Sequence, residues 1–232
     1  MKKIIISILL LLGTFSMASA EIGLKLGISG NIGLFEATGF ETEAGEKNGT
    51  GTAGVDKAES IGAMGSVFVE KTLTFLPGPL SRLSIGYDHV VHKIQTGTSS
   101  RRDIDLVGKT LGHHPQRTGD NKAAATIDNI NTLYLTARIT DWLFIRAGSV
   151  EADVETQESL FTGSKYGNTT VDGTVYGIGV EHKSDNGFFM RAEWNNLDLD
   201  GNKITSSTNS ANSITLTDIT GESARLSVGK EF

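Results

Sequence analysis

Ten charged residues recur at one parity of a chain that otherwise alternates apolar with small side chains: Lys25, Glu70, Arg82, Asp88, Arg138, Arg146, Glu181, Arg191, Glu193 and Arg225. Both signs are present among serine and glycine, so the set predicts ion pairs that fill an enclosed bore. A narrow pathway for ions or small solutes along the same charges is the alternative, because parity does not show whether the pairs leave a gap.

Catalytic chemistry would need a nucleophile, a base and an acid within hydrogen-bond reach. Ser84 and Asp88 share the charged parity, but His89 sits on the other one. His92 returns to that parity four residues after Asp88, about 13 Å along a strand. No catalytic set selects itself, so the chain is read as a non-enzyme, with a lipid-modifying enzyme as the third reading. His113 and His114 are adjacent without a third ligand at suitable spacing, so neither a metal nor a cofactor is assigned.

Strands must position these residues. Ile22, Leu24, Leu26, Ile28, Ile32 and Leu34 share one parity against Gly23, Lys25, Gly27, Ser29, Asn31 and Gly33, which is the period of a strand with one greasy face. The pattern returns around Ile61 to Glu70, Leu83 to Val91, Leu133 to Ile139, Leu143 to Gly148, Tyr176 to Glu181, Phe188 to Asn195 and Ser223 to Gly229. That makes eight segments. A solvated outer face would carry many long polar side chains, whereas glycine and serine separate single charges here, as a crowded interior requires.

Connections alternate in length. Short ones fall at Thr72 to Leu80, Thr140 to Trp142 and Ser184 to Gly187; long ones at Glu36 to Ser60, Gln95 to Thr126, Gln157 to Val171 and Asp200 to Thr220. The long ones are rich in Gly, Thr, Asn and Ser, which predicts solvated and mobile loops. Trp142, Phe188 and Phe232 lie at strand ends on the short-turn side, where an interfacial aromatic girdle belongs, and Trp194 supplies the opposite girdle.

Lys2 and Lys3 precede an apolar run from Ile4 to Leu12, followed by Ala18, Ser19 and Ala20. This is the pattern of a cleavable signal peptide over residues 1–20, too short to span a bilayer. Cleavage leaves 212 of the 232 residues, 21–232, as one all-β domain. Losing Lys2 and Lys3 reduces 21 basic residues to 19 against 27 acidic ones, a net charge of −8, which argues against a nucleic-acid partner. With no cysteine, an exported chain must hold itself together by other means, and a closed sheet is one.

With the strands placed, Gly177, Gly179 and Glu181, the following corner, and then Arg191, Glu193 and Trp194 resemble the sixth and seventh strands of the OmpA/opacity-type small outer-membrane β-barrel superfamily. The resemblance covers residues 21–232 and ends on Phe232. It implies an eight-stranded antiparallel transmembrane barrel, an up-and-down meander with four long extracellular loops and three short periplasmic turns, in a bacterial outer membrane of Gram-negative type. It implies that Phe232 acts as an assembly signal for the barrel-assembly machinery, with periplasmic chaperones as partners during biogenesis, and that membrane lipids and lipopolysaccharide surround a monomer.

Arg101, Arg102, Lys109 and Arg117 could then meet lipopolysaccharide phosphates, although Asp103, Asp105 and Asp120 lie among them. Glu36, Glu41, Glu43 and Glu46 could bridge it through divalent cations. An eight-stranded bore is filled by side chains, so the first expectation is a structural or adhesion-type recognition protein acting through its loops, with no partner named.

Overall fold

A computed structural model shows a closed barrel of eight antiparallel strands: β1 (Leu24–Glu43), β2 (Asp56–Thr72), β3 (Leu83–Val90), β4 (Gln116–Arg138), β5 (Leu143–Ser159), β6 (Thr169–Lys183), β7 (Phe188–Leu199) and β8 (Ser213–Glu231). Residues 23–43, 51–52, 56–95, 98–106, 116–160 and 163–232 are described. The signal peptide read over residues 1–20 lies outside them, as do Glu46, Lys109, His113 and His114.

Each strand pairs with its neighbours in sequence, and β1 closes the ring against β8 from Lys25 opposite Glu231 to Thr42 opposite Ser213. Leu24 and Phe232 exchange backbone hydrogen bonds at that seam. Both ends of the described barrel and the three short connections therefore share one rim, the turn end. In the β6–β7 turn Gly187 has φ 84°, and a Cβ there would press on the Glu231 carbonyl, so glycine answers two demands at once.

The first short connection is longer than the sequence pattern implies. A 3-10 helix, Gly78–Arg82, precedes β3, and strand parity therefore does not reach Arg82. Its side chain is half exposed rather than in the bore, which corrects the expectation made for that residue.

The long connections also differ from expectation. β1 and β2 run on as a ladder to Gly39 opposite Asp56, and Ser99–Leu106 pairs with β4 to form a hairpin beyond the ring. The register places Arg102 opposite Asp120 and Asp105 opposite Arg117. The described strands continue into these stretches. β5 alone has 17 residues, where about 9–11 cross a bilayer.

The extra length coincides with an inversion of polarity. From the turn end upward, outward positions are exposed and apolar, as with Ile28, Leu34, Ile61, Ile145, Ile178 and Leu226. Farther up, outward positions become Glu36, Glu59, Glu151, Asp172, Asp198 and Glu222. Inward positions become Val150, Ala152, Val171, Val175 and Leu199, which pack into one buried cluster. Acyl chains can cover the first arrangement and water the second, so the barrel spans a membrane with its lower part and stands above it with its upper part.

Candidate functional site

The bore of the lower half is crossed by an ion-pair network to which every strand contributes. Parity explains the placement, since Lys25, Glu70, Asp88, Arg138, Arg146, Glu181, Arg191, Glu193 and Arg225 alternate with lipid-facing residues along their strands. All but Arg138 are buried. Arg191 on β7 forks onto Glu70 on β2, at 2.8 Å from Nη1 to Oε2 and 2.7 Å from Nη2 to Oε1. Its Nε donates to Glu181 on β6. Lys25 on β1 donates to both Glu181 oxygens at 2.9 Å, and Arg138 on β4 donates to the same carboxylate.

A second tier lies toward the loop end. Arg146 on β5 reaches Glu193 on β7 at 3.2 Å, and Arg225 on β8 donates to Asp88 on β3. Ser66 donates to Asp88 at 3.0 Å and lies 2.6 Å from Ser29. Apart from Arg191 and Glu181, which face each other on neighbouring strands, the charged partners stand on non-adjacent strands, so those pairs are struts across the bore and not rungs along its wall. Each charge but that of Arg138 is desolvated, so removing one partner would strand the other.

Aromatic rings fill the space between struts, a contribution that charge parity alone did not reveal. The Arg146 guanidinium lies 3.8 Å from the Tyr134 ring centroid; Arg191 lies 5.1 Å from Phe189 and 5.2 Å from Phe144. Cation–π attraction and ring volume act together here. Tyr134, Phe68, Phe144 and Phe189 all have inward parity, and their neighbours across the sheet explain the glycines. A Cβ at Gly27 would meet Phe68, and one at Gly179 would meet Phe144. Glu231 also joins the network, at 3.2 Å from Lys183.

Among the described residues, the buried polar atoms of the bore without a hydrogen-bond partner include Asn31 Oδ1, Asn195 Oδ1 and Arg146 Nε. Above them the apolar cluster of β5, β6 and β7 takes over, joined by Ile127, Ile130, Val154, Leu197 and Ile219. Its signal was present in the sequence, since Val150 and Ala152 continue the parity of Arg146, and Val171 and Val175 that of Glu181.

Two connections above this cluster are locked together by polar groups. The Ser207 amide donates to the Lys165 carbonyl at 2.7 Å, Asn212 Nδ2 donates to Ser164 Oγ at 2.8 Å, and Thr208 Oγ1 donates to the Gly163 carbonyl at 3.1 Å. The Tyr166 amide donates to Glu158 at 2.7 Å, while its ring is buried. The β5–β6 and β7–β8 connections thus form a cap held by these hydrogen bonds.

On the outside, just above the belt, Lys93 bridges Asp128 at 3.2 Å and Glu155 at 3.4 Å. Asn129 occupies a bulge in β4 with φ 50°, and its amide donates to Asp128 at 2.9 Å. That amide and the Lys93 ammonium hold the Asp128 carboxyl below its ordinary range. Hydrogen bonds to Asp128 and Glu155 in turn hold Lys93 above its own.

The residues weighed for catalysis have other partners. Asp88 is committed to Ser66 and Arg225, Ser84 donates to Thr72 at 3.2 Å, and His89 Nδ1 lies 2.9 Å from Asn131 Oδ1. His92 falls just beyond β3, where strand parity ends, so it is exposed, and its Nε2 accepts the Gly65 amide at 2.9 Å. Trp142 and Phe188 are exposed at the turn end, beside exposed Phe232 at the end of β8. Trp194 is exposed on β7 and stands opposite Ile178, two positions below the Asn196–Tyr176 pair.

No family model matches the chain, and no curated protein matches it. Among solved structures it is similar to Ail, the attachment invasion locus protein of Yersinia pestis, at 12% identity, covering 89% of this chain and 99% of that one with a TM-score of 0.38. It is similar to the outer membrane protein OprG from Pseudomonas aeruginosa at 11% identity, covering 91% and 97%, TM-score 0.43. The Escherichia coli outer membrane protease OmpT matches at 10% identity, covering 94% and 99%, TM-score 0.40.

Proposed function

We propose that this chain is a structural or surface-recognition protein of a bacterial outer membrane, with a closed bore and an extracellular platform that presents its loops. The observation that carries this reading is the set of struts joining opposite walls, Lys25 to Glu181, Glu70 to Arg191 and Asp88 to Arg225. Paired charges with rings packed between them fill the lower bore, and an apolar cluster lies above it, which supports a bore that does not conduct. The locked cap supports a recognition role, because a rigid scaffold orders a binding surface at lower entropic cost. Lipopolysaccharide and membrane lipids are its surroundings, and the barrel-assembly machinery and periplasmic chaperones its partners during biogenesis.

The test is to record planar-bilayer conductance and lipid hydrolysis from the same folded preparation in detergent. Silence in both is the expected result. Unitary current steps from the unaltered protein would overturn the closed bore.

A narrow ion pathway is the second reading, favoured by the unpartnered Asn31, Asn195 and Arg146 atoms, since buried polar groups without protein partners hold water. Conductance that falls on Asn195→Leu would support it.

A further inference from the structure

The charges at the turn end of the bore do not balance. Among the described residues, Lys25, Arg138, Lys183 and Arg191 share Glu70, Glu181 and Glu231, and Glu181 alone serves three cations. One positive charge is left over. The more exposed member of the Glu181 group is Arg138, and beside it lies an open cleft of about 470 Å³, lined by Gly78, Pro79, Arg82, Arg138 and Ile139.

Two arginines therefore line one cleft. Arg82 is fixed there by its Nη1 bond to the Ile139 carbonyl at 3.1 Å. Its contact with Asp141 is 3.7 Å long, and that carboxylate is 98% exposed, so water screens the pair and leaves most of the Arg82 charge available. Arg138 commits Nη2 to Glu181. No side chain crowds the entrance at Gly78, around which a Cβ would meet nothing. The surroundings are apolar: Ile139, Leu80, Phe75 and Trp142 are all exposed at this rim.

We infer that the cleft binds a phosphate-bearing anion, and that its source is an anionic phospholipid of the periplasmic leaflet. Paired guanidiniums suit phosphate oxygens, and an apolar rim at interfacial depth suits the attached acyl chains, which a free phosphate lacks. The site rests on the membrane orientation proposed above. It differs from the bore in function, because Arg82 takes no part in the struts.

Native mass spectrometry of the whole barrel released from detergent, with added phosphatidylglycerol or phosphatidylcholine, tests the inference. The expected result is one phosphatidylglycerol adduct that survives activation, at least about tenfold weaker in Arg82→Gln and partly retained in Arg82→Lys. Heat-modifiable migration in SDS gels must be the same in all three proteins, and Arg82 is exposed enough for its replacement to leave folding intact. Equal retention of the two lipids, or full retention by Arg82→Gln, would overturn the site while leaving the barrel untouched. Displacement of the adduct by millimolar inorganic phosphate would show a free-anion site and overturn the lipid source. A chain that is folded and monodisperse without detergent would instead remove the membrane orientation itself.

Discussion

Tyr134 stands directly opposite Gly86 in the β3–β4 register, and its ring occupies the space that any side chain at position 86 would need. The pair couples a missing side chain on one strand to a large one on the next. Gly86→Val should cost about 1–3 kcal/mol by overpacking, measured by urea unfolding in micelles. In a Tyr134→Ala background the same change should cost much less, because the cavity accepts the new methyls. Equal costs in both backgrounds would show that the ring is not what excludes a side chain there.

Glu70 is the carboxylate on which Arg191 forks, and both side chains are sealed from solvent. Replacing Glu70 by Gln should destabilise the barrel by about 3–5 kcal/mol, since it takes the charge from the carboxylate on which the buried Arg191 forks and leaves that guanidinium only Glu181, which Lys25 and Arg138 also share. A Glu70→Gln, Arg191→Met double variant should recover part of that loss. If the double variant is as unstable as the sum of the singles, the two residues do not act as a pair.

The ring of eight strands was legible because lipid and lumen impose opposite demands on alternate residues, so Leu26 beside Lys25, and Ile178 beside Gly177 and Gly179, declare their faces. The charge struts were legible as a set but not as pairs, because Lys25 and Glu181 are 156 residues apart and only closure brings them together. Arg82 misled for a local reason: Gly78 and Pro79 start a 3-10 helix that breaks the strand period just before β3. The ties within the cap were not legible for a different one. Ser206, Thr208 and Asn212 have the composition of a solvated loop, and nothing local announces that Ser164 and Lys165 will satisfy them.

The inversion of polarity makes equally exposed residues unequal. Ile28 lies on the apolar belt and Thr174 above it, both facing outward and both exposed. Ile28→Arg should cost about 2–4 kcal/mol, as a charge near the bilayer midplane does, whereas Thr174→Arg should cost about 0–1 kcal/mol. Refolding titrations into phospholipid vesicles measure both. Comparable penalties would place the membrane boundary higher than the Glu36–Glu59 level.

Lys93, Asp128 and Glu155 form a clamp open to solvent on the outer surface, so its response to pH is local. The folded-state pKa of Asp128 is depressed, and its contribution is present above the unfolded-state value and lost as pH falls through the folded one. That of Lys93 is raised, so its contribution is complete below the unfolded-state value and lost as pH rises through the folded one. The clamp should therefore loosen at acidic and at strongly alkaline pH and be tightest between. Hydrogen exchange at the Asn129 amide reports this, and an exchange profile without an acidic limb once intrinsic rates are removed would contradict the assignment.

Asn212 tests whether the cap is one body. Its Nδ2 donates to Ser164 Oγ, and its carbonyl accepts the Ser206 amide at 2.9 Å, so a single residue ties the β7–β8 connection both to itself and to the β5–β6 connection. Asn212→Ala removes its side-chain ties, the one to Ser164 and the one its Oδ1 accepts from Asn209, each worth about 0.5–1.5 kcal/mol, while the backbone bond stays. That loss is small against global stability but large against local opening of a surface segment, because the cap draws on few apolar contacts. Limited proteolysis should accordingly cut the β5–β6 connection several times faster in the variant, with the urea midpoint nearly unchanged. Faster cleavage confined to the β7–β8 connection would mean that the two connections open independently, and the platform would then be two loops and not one surface.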